Sequence, residues 1–194
     1  MKEFFQKHSY NMIMVFVNQI AIALFGIGLS VALGMAENRT LQVVASVFAV
    51  LFYLFLIYAR MWEVGAKDGI SAEARKTSRG LWRGFVIGIF GNALNILLAL
   101  LMLPGLFVGS GTALEKLGEI AKLISVFLQG MYSGILATPL NGLKLNDYVW
   151  PYFVMIAISV LVSGVAYIIG SYNLHVTNIL IPKNKDVKNN GRPE

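Results

Sequence analysis

Four apolar stretches of about twenty residues constrain this chain more than any other feature of its sequence. Between its flanking charges, each stretch lacks Asp, Glu, Lys and Arg. A helix of about twenty mostly apolar residues is long enough to cross the hydrocarbon core of a bilayer. We therefore predict an all-α integral membrane protein with four transmembrane helices and one further outer helix. The predicted spans cover about residues 12–34, 40–60, 82–103 and 151–172.

The composition supports this class and excludes several kinds of chemistry. The 194 residues are 57% hydrophobic and 13% charged, against about 25% charged residues in soluble domains. We predict a single transmembrane helical domain over residues 1–182, followed by a flexible basic cytoplasmic tail at 183–194 that is too polar to fold alone. The absence of cysteine excludes disulfides, thiol redox chemistry and thiolate metal sites. With two histidines, a multi-histidine metal site is not expected either, so we predict no cofactor.

The net charge of +6 is unevenly distributed along the chain. Basic residues are in excess in residues 1–10, in the link 60–83 and in the tail, whereas the other two connections carry equal numbers of basic and acidic residues. Cytoplasmic loops of membrane proteins carry such an excess of Lys and Arg. The pattern predicts a multi-pass protein of the cell membrane with both termini in the cytoplasm. Its basic charge is expected to meet anionic lipid headgroups rather than nucleic acid.

The N-terminus allows one competing interpretation. Lys2 and Lys7 precede an apolar run, and Gly34 and Ala36 have the small-x-small spacing of a signal-peptide cleavage site. The run is longer than the apolar region of a typical signal peptide, which favours an uncleaved first span. Cleavage would leave the remaining topology unchanged.

The segment at about residues 113–137 is the hardest to place. Its apolar residues recur at helical spacing, the first half is amphipathic, and the second half is almost wholly apolar. A fifth crossing would move the basic tail outside, and Pro139 and Gly142 break a helix just beyond it. We therefore favour an outer interfacial helix or a re-entrant hairpin at 130–134 over a full crossing. This segment either caps the bundle or lines a cavity with its polar residues Gln129, Tyr132 and Ser133.

Small residues recur at helical spacing in three of the four spans. Helices in lipid associate through close backbone contact, which small side chains permit. The third span is therefore predicted to be central and to contact the first and fourth. The second span carries the bulky residues Phe48, Phe52, Tyr53 and Phe55, which are expected to face lipid. The predicted packing residues are Gly26, Ser30 and Gly34 in the first span, Gly80, Gly84, Gly88 and Gly91 in the third, and Ser159, Ser163 and Gly170 in the fourth.

Four side-chain amides lie within the first and third spans, at Asn18, Gln19, Asn92 and Asn95. An amide buried without partners costs roughly 2–7 kcal/mol, so these groups must bond to each other, to backbone or to water. They either join helices or line a polar pathway between the first and third spans that opens to the cytoplasm. Between their flanking charges the spans hold no Asp, Glu, Lys or Arg, which argues against proton-coupled transport and voltage sensing. We also see no nucleophile with a base that would indicate an enzyme.

The link after the second span carries charges at helical spacing. Arg60, Glu63 and Lys67 can form ion pairs on one helix face. The sequence "KDG" is typical of a turn, and Ser71 is a candidate cap for a short helix beyond it. The second helix is therefore predicted to end near Lys67. The link is either an ordered turn or a cytoplasmic docking surface formed by Arg60, Glu63, Lys67 and Asp68.

The stretch "MWEVGAKDG" resembles uncharacterised small polytopic membrane proteins of Gram-positive bacteria. The resemblance covers this link and the following helix, and it implies no function. From the residues, we expect a transport-related membrane subunit, a transporter or channel component. Its expected partners are the lipid bilayer and other membrane subunits or a second copy of the chain. The alternative is a structural or accessory protein, such as an immunity or assembly factor, that binds another membrane protein.

Overall fold

The computed structural model describes residues 2–35, 38–107 and 111–173, so the predicted tail at 183–194 lies outside the described residues. The described chain is almost entirely helical. Three single turns of 3-10 helix, at Pro104–Leu106, Gly130–Tyr132 and Leu145–Asp147, interrupt it, together with one short antiparallel hairpin. The elements are α1 Lys2–Gly34, α2 Arg39–Ala74, α3 Arg83–Gly91, α4 Ala93–Met102, α5 Ala113–Leu128, α6 Ser133–Leu136, β1 Pro139–Leu140, β2 Leu143–Lys144 and α7 Trp150–Ser171.

Three of these helices, α1, α2 and α7, are long and apolar enough to cross a membrane. The pair α3 and α4 passes the same test as a unit but is bent by 59° at Asn92. The predicted all-α class is therefore confirmed, and the described residues contain three to four candidate spans where the sequence predicts four. The prediction of one continuous helix over residues 82–103 is wrong, because the chain breaks between Gly91 and Ala93.

Helix α2 is longer than its sequence indicates. It has 36 residues, about 54 Å at 1.5 Å per residue, and it continues through "KDG" to Ala74. The prediction that it ends near Lys67 is wrong, and Ser71 does not cap a new helix. The Ser71 hydroxyl donates instead to the Lys67 carbonyl oxygen at 2.8 Å, one turn back in the same helix. Tertiary packing of the next residues on α7 outweighs the local turn preference.

The backbones of α2 and α7 approach each other closely. A Cβ added to Gly65 or Gly69 would collide with the α7 backbone at Tyr167 or Ser171, and one added to Gly170 would collide with Trp62. Small residues therefore let these two helices touch, a kind of contact that is common between helices in membranes. This contact was not predicted, because the glycines of α2 lie beyond its most apolar part.

The aromatic residues of α2 divide between two faces. Phe48, Phe52 and Phe55 are exposed, as predicted for residues that face lipid. Tyr53 is 1% exposed and packs in the core, so its predicted lipid-facing position is wrong. Its neighbours at helical spacing, Ala49 and Ile57, are fully buried, which assigns Tyr53 to the inner face.

The glycines of α3 lie against two neighbours. Gly84 and Gly88 approach α7 at Tyr167 and Ser163, while Gly91 approaches Val15 of α1. In α1, Gly26 lies against Met131 of the 3-10 turn rather than against α3. Of the other predicted packing residues, Ser159 is buried, Ser30 is half-buried, Gly34 is exposed, and Gly80 lies against the side chain of Arg83.

Helix α5 packs beside α4 and leads into a short insertion between α1 and α2. Thr112 caps α5 by accepting a hydrogen bond from the Glu115 N–H at 3.3 Å. After α5 ends, Gly130 lies against Ala23 and Ile27 of α1. One turn on, the Gly134 N–H donates to the Ser46 hydroxyl oxygen of α2 at 2.7 Å. The segment is therefore not one continuous helix, because α5 ends at Leu128 and a 3-10 turn precedes α6. Whether it re-enters a membrane as a hairpin at 130–134 stays a prediction.

The two ends of the bundle differ in charge. At one end, which we call the basic end, the start of α1, the end of α2 and the start of α3 meet around Asp68. The other end carries the β-hairpin, whose turn has left-handed backbone at Asn141 and Gly142. There Lys122 of α5 pairs with Asp147 at 3.1 Å, and this hydrogen bond holds the pKa of the Asp147 carboxyl below its usual value.

Candidate functional site

Three of the four predicted amides form one buried hydrogen-bonded cluster. The Gln19 Nε2 group donates to Asn95 Oδ1 at 3.1 Å, and Asn95 Nδ2 donates to Gln19 Oε1 at 2.7 Å. Gln19 Nε2 also donates to the carbonyl oxygen of Leu128 at 3.1 Å, where α5 ends. These bonds join α1, α4 and α5 at one point.

Asn92 extends the cluster to α7. Its Nδ2 group donates to the Gly88 carbonyl oxygen at 2.9 Å and to the Ser159 hydroxyl at 3.0 Å, while its Oδ1 accepts from Asn95 at 3.1 Å. Gly88 O also accepts the backbone N–H of Asn92 at 3.1 Å. Asn92 therefore bonds locally at the break between α3 and α4, and a side chain that competes for backbone carbonyls is a common cause of such bends.

Tyr53 and Ser159 complete the cluster on the α2 side. The Tyr53 hydroxyl lies 3.3 Å from the Ser159 hydroxyl, and both residues are buried. Sequence reasoning assigned Ser159 to packing alone and Tyr53 to lipid. The signal that could have found Tyr53 is its helical register with the small residues Ser46 and Ala49.

A cavity of about 10 Å³ lies inside this cluster. Gln129 and Tyr132, from the turn after α5, line it together with the amides. Among the described residues, the Gln129 Oε1 atom and the Tyr132 hydroxyl have no hydrogen-bond partner although both are buried. A volume of about 10–15 Å³ holds one water molecule. The cavity can hold water or a small polar group, and its lining offers hydroxyls and amides rather than a carboxylic acid.

The fourth predicted amide lies apart from this cluster. Asn18 is half-buried and is absent from the lining of the small cavity. The structure therefore brings Gln19, Asn92 and Asn95 together and leaves Asn18 outside. Whether water reaches the amides from one end stays a prediction.

The predicted docking residues separate onto two faces of α2. Arg60, Glu63 and Lys67 form a chain of surface ion pairs, with Arg60 Nη1 at 3.7 Å and Lys67 Nζ at 2.5 Å from the Glu63 carboxylate. Asp68 is 6% exposed and lies on the inner face. It is therefore unavailable to a partner that docks on the other three.

Asp68 is instead the centre of a second polar cluster, at the basic end. It pairs with Lys7 at 2.6 Å and with His8 at 3.3 Å. It also accepts a hydrogen bond from the Tyr167 hydroxyl at 2.7 Å. Sequence reasoning missed this cluster because its members come from three distant segments. A cavity of about 440 Å³ opens beside it.

Comparison with protein-family models, with curated proteins and with solved structures gives no match for this chain. Within residues 2–35, 38–107 and 111–173, no group of three or more His, Cys, Asp or Glu could hold a metal ion. Fold and site together define a helical protein with three to four candidate membrane spans and two buried polar clusters. Its function must be argued from those clusters.

Proposed function

We propose that this chain is a transport-related component of the cell membrane, a transporter or channel subunit. In this proposal α1, α2, the bent pair α3–α4 and α7 cross the bilayer, and the stretch from α5 to α6 re-enters it from the hairpin end. The observation that carries the proposal is that two breaks in helical structure, at Asn92 and at Gln129, meet at one small polar cavity.

Helix breaks at membrane depth are costly unless the freed backbone groups find partners. Irregular backbone is tolerated there where it is buried in protein or lines a cavity. Transporters use discontinuous helices of this kind to build binding sites near the middle of the bilayer. The cluster around Gln19 and Asn95 has this character, because it combines two broken segments with unpartnered oxygens of Gln129 and Tyr132.

The cavity is small in this conformation. Its volume of about 10 Å³ admits one water molecule, so transport requires an opening motion. The break at Asn92 is the hinge in this proposal, since residues at the end of a helical element can absorb a rotation of the elements on either side. The amides would then exchange hydrogen bonds with each other for hydrogen bonds with water or substrate.

The orientation in the membrane follows from charge. The basic end carries the excess of Lys and Arg, so we place it in the cytoplasm. Large apolar side chains on the outer faces of the bundle, including Leu51 and Leu161, are exposed and would contact lipid tails. A homo-oligomer or another membrane subunit could cover part of the same surface.

The test measures whether water reaches the cavity. The chain has no native cysteine, so single cysteines report their own position. Ser159→Cys is nearly isosteric and lines the cavity, and Ala99→Cys is a matched buried position in a purely apolar cluster. We expect a small membrane-impermeant thiol reagent to label Ser159→Cys in membrane vesicles, and to leave Ala99→Cys unlabelled.

Lys67→Cys is the positive control, because its side chain is 73% exposed at the basic end. If the reagent labels Lys67→Cys but leaves Ser159→Cys unlabelled from both sides of the membrane, the amides are dry packing contacts. The transport proposal would then be wrong.

The second candidate is a structural or accessory membrane protein that binds another membrane protein. It is favoured by the reciprocal pairing of Gln19 with Asn95, since amides that satisfy each other act as interhelical contacts. Purification in mild detergent separates the two candidates. The accessory role is supported if one partner protein co-purifies in a stoichiometric amount and if the thiol reagent leaves Ser159→Cys unlabelled.

A further inference from the structure

We propose that the cavity of about 440 Å³ at the basic end is a binding site for a phosphate-bearing anion, either a phospholipid headgroup or a soluble phosphate compound. This site is separate from the small cavity between the helix breaks. Its volume falls within the range of about 300–1,000 Å³ that is typical of small-molecule sites.

The charge of the lining favours an anion. Lys7, Arg75 and Arg83 line the cavity with one carboxylate, that of Asp68. Three positive groups and one negative group leave a surplus of two positive charges when His8 is neutral. Arginine binds phosphate oxygens through paired N–H groups, and lysine binds them as a point charge.

Asp68 organises the cationic side chains instead of opposing the ligand. Its carboxylate lies 2.6 Å from Lys7 Nζ and 3.7 Å from Arg83 Nη1, and it accepts the Tyr167 hydroxyl at 2.7 Å. With an exposed fraction of 6%, it lies behind these groups while Lys7 and Arg83 remain partly exposed. The buried carboxylate thus fixes two flexible cations in place, which lowers the entropic cost of binding an anion.

Arg75 supplies a cation that no ion pair in the described structure occupies. It is exposed and forms the C-terminal cap of α2, where the chain turns through Lys76 with a left-handed backbone, φ 52°. The turn that follows brings the hydroxyls of Thr77 and Ser78 to the same cavity. Hydroxyl and guanidinium donors together are common partners of phosphate oxygens.

A buried polar atom of the lining is left unsatisfied. His8 is 2% exposed, and its Nε2 faces Asp68 at 3.3 Å. Across the part of the chain that the structure describes, its Nδ1 has no hydrogen-bond partner. A buried nitrogen of this kind normally has one. A hydroxyl of the ligand, either on a protonated phosphate or on a headgroup, would satisfy it.

The aromatic side of the cavity suits a ligand with an apolar part. Phe4 and Trp82 line it with ring centroids 5.6 Å apart, and Trp82 is 55% exposed. Tryptophan prefers the membrane interface, at the depth of lipid headgroups. The cavity therefore offers cations for the phosphate and rings for the adjoining carbon atoms.

The experiment measures binding to the purified full-length protein in detergent. One arm titrates short-chain phosphatidic acid and phosphatidylglycerol by native mass spectrometry, with phosphatidylcholine as the zwitterionic control. The other arm titrates pyrophosphate by calorimetry. Binding of the anionic lipids alone assigns a headgroup, and binding of pyrophosphate assigns a soluble phosphate compound.

The variant Arg75→Gln removes one lining cation at an exposed position, so the fold should persist. We expect it to weaken binding of the preferred probe by about tenfold or more, the effect of losing one charge-assisted hydrogen bond. Lys67→Gln removes the same charge from α2 but lies outside this cavity, and it should bind as the parent protein does. Equal losses in both variants, or no binding of either probe class, would overturn the proposal.

Discussion

Individual glycines decide how closely these helices pack. Gly84 of α3 lies so near α7 that an added Cβ would collide with the side chain of Tyr167. Gly28 of α1 has no neighbour within 4 Å of the same added atom. One glycine therefore permits a close contact between helices and the other does not, and the residues next to them in sequence do not distinguish the two cases.

The contrast between these two positions is testable. Gly84→Leu should destabilise the protein by about 1–3 kcal/mol, because an overpacked contact forces α3 and α7 apart. Gly28→Leu should be neutral or slightly stabilising, since leucine is a better helix former than glycine by up to about 1 kcal/mol. Thermal unfolding in detergent, with folded yield after size-exclusion chromatography, measures both variants. Equal melting temperatures would show that the α3–α7 contact is looser than the structure indicates.

Hydrogen bonds at single residues also explain where sequence reasoning failed. The residues Lys67, Asp68 and Gly69 are typical of a turn, yet they form part of a continuous helix. The Tyr167 hydroxyl and the Lys7 ammonium bind Asp68, and Gly69 fits against α7. None of these partners is near in sequence. These three residues do have a local preference for a turn, but contacts from α1 and α7 outweigh it.

At the scale of elements, long apolar helices were predictable and breaks were not. The bounds of α7 agree with the predicted span 151–172 within about two residues, because length and hydropathy determine a candidate crossing. The Asn92 side chain at the bend bonds Ser159 of α7, which becomes its neighbour only after folding. The sequence likewise predicted that the amides of Gln19, Asn92 and Asn95 need hydrogen-bond partners. It did not predict which amide bonds to which.

The pairing between α1 and α4 leads to a double-mutant prediction. Gln19→Met or Asn95→Leu alone leaves the remaining amide with one bond, from Gln19 to Leu128 O or from Asn95 to Asn92, and without the two bonds that join the pair. Each variant should therefore cost about 1–3 kcal/mol in the free energy of unfolding. The double variant removes both amides, so its cost should fall short of the sum by about 0.6–1.7 kcal/mol, the range measured for membrane hydrogen bonds. Denaturant unfolding in micelles provides the four values of the cycle.

A control cycle combines Asn95→Leu with Gly28→Leu, a substitution at an exposed position. Those two effects should add to within about 0.3–0.5 kcal/mol. If Gln19→Met and Asn95→Leu add equally well, the two amides do not stabilise each other. The polar cluster would then be held by other groups.

At the scale of the whole molecule, the two ends of the bundle carry different chemistry. The basic end holds Asp68 with its cationic partners and the larger cavity, and the hairpin end holds the Lys122–Asp147 pair. Of the segments that carry the basic excess in the sequence, the start of α1 and the link 60–83 are brought together at one end by the fold. If the bundle crosses a bilayer, the two ends would therefore present surfaces of different charge to the aqueous compartments on its two sides.

This asymmetry predicts the orientation in the membrane, with the basic end in the cytoplasm. Lys67→Cys and Lys144→Cys place single thiols on exposed residues at the basic end and in the β-hairpin, respectively. A membrane-impermeant thiol reagent applied to intact cells should label Lys144→Cys and not Lys67→Cys, whereas in inverted vesicles the pattern should reverse. Both positions react after detergent is added, which controls for accessibility of the thiol. In the proposed arrangement one crossing, the bent pair α3–α4, separates the two positions, because the stretch from α5 to α6 re-enters on the same side. Labelling of both from the same side would mean that an even number of crossings separates them. The four-crossing arrangement, and with it the re-entrant assignment of α5, would then be wrong.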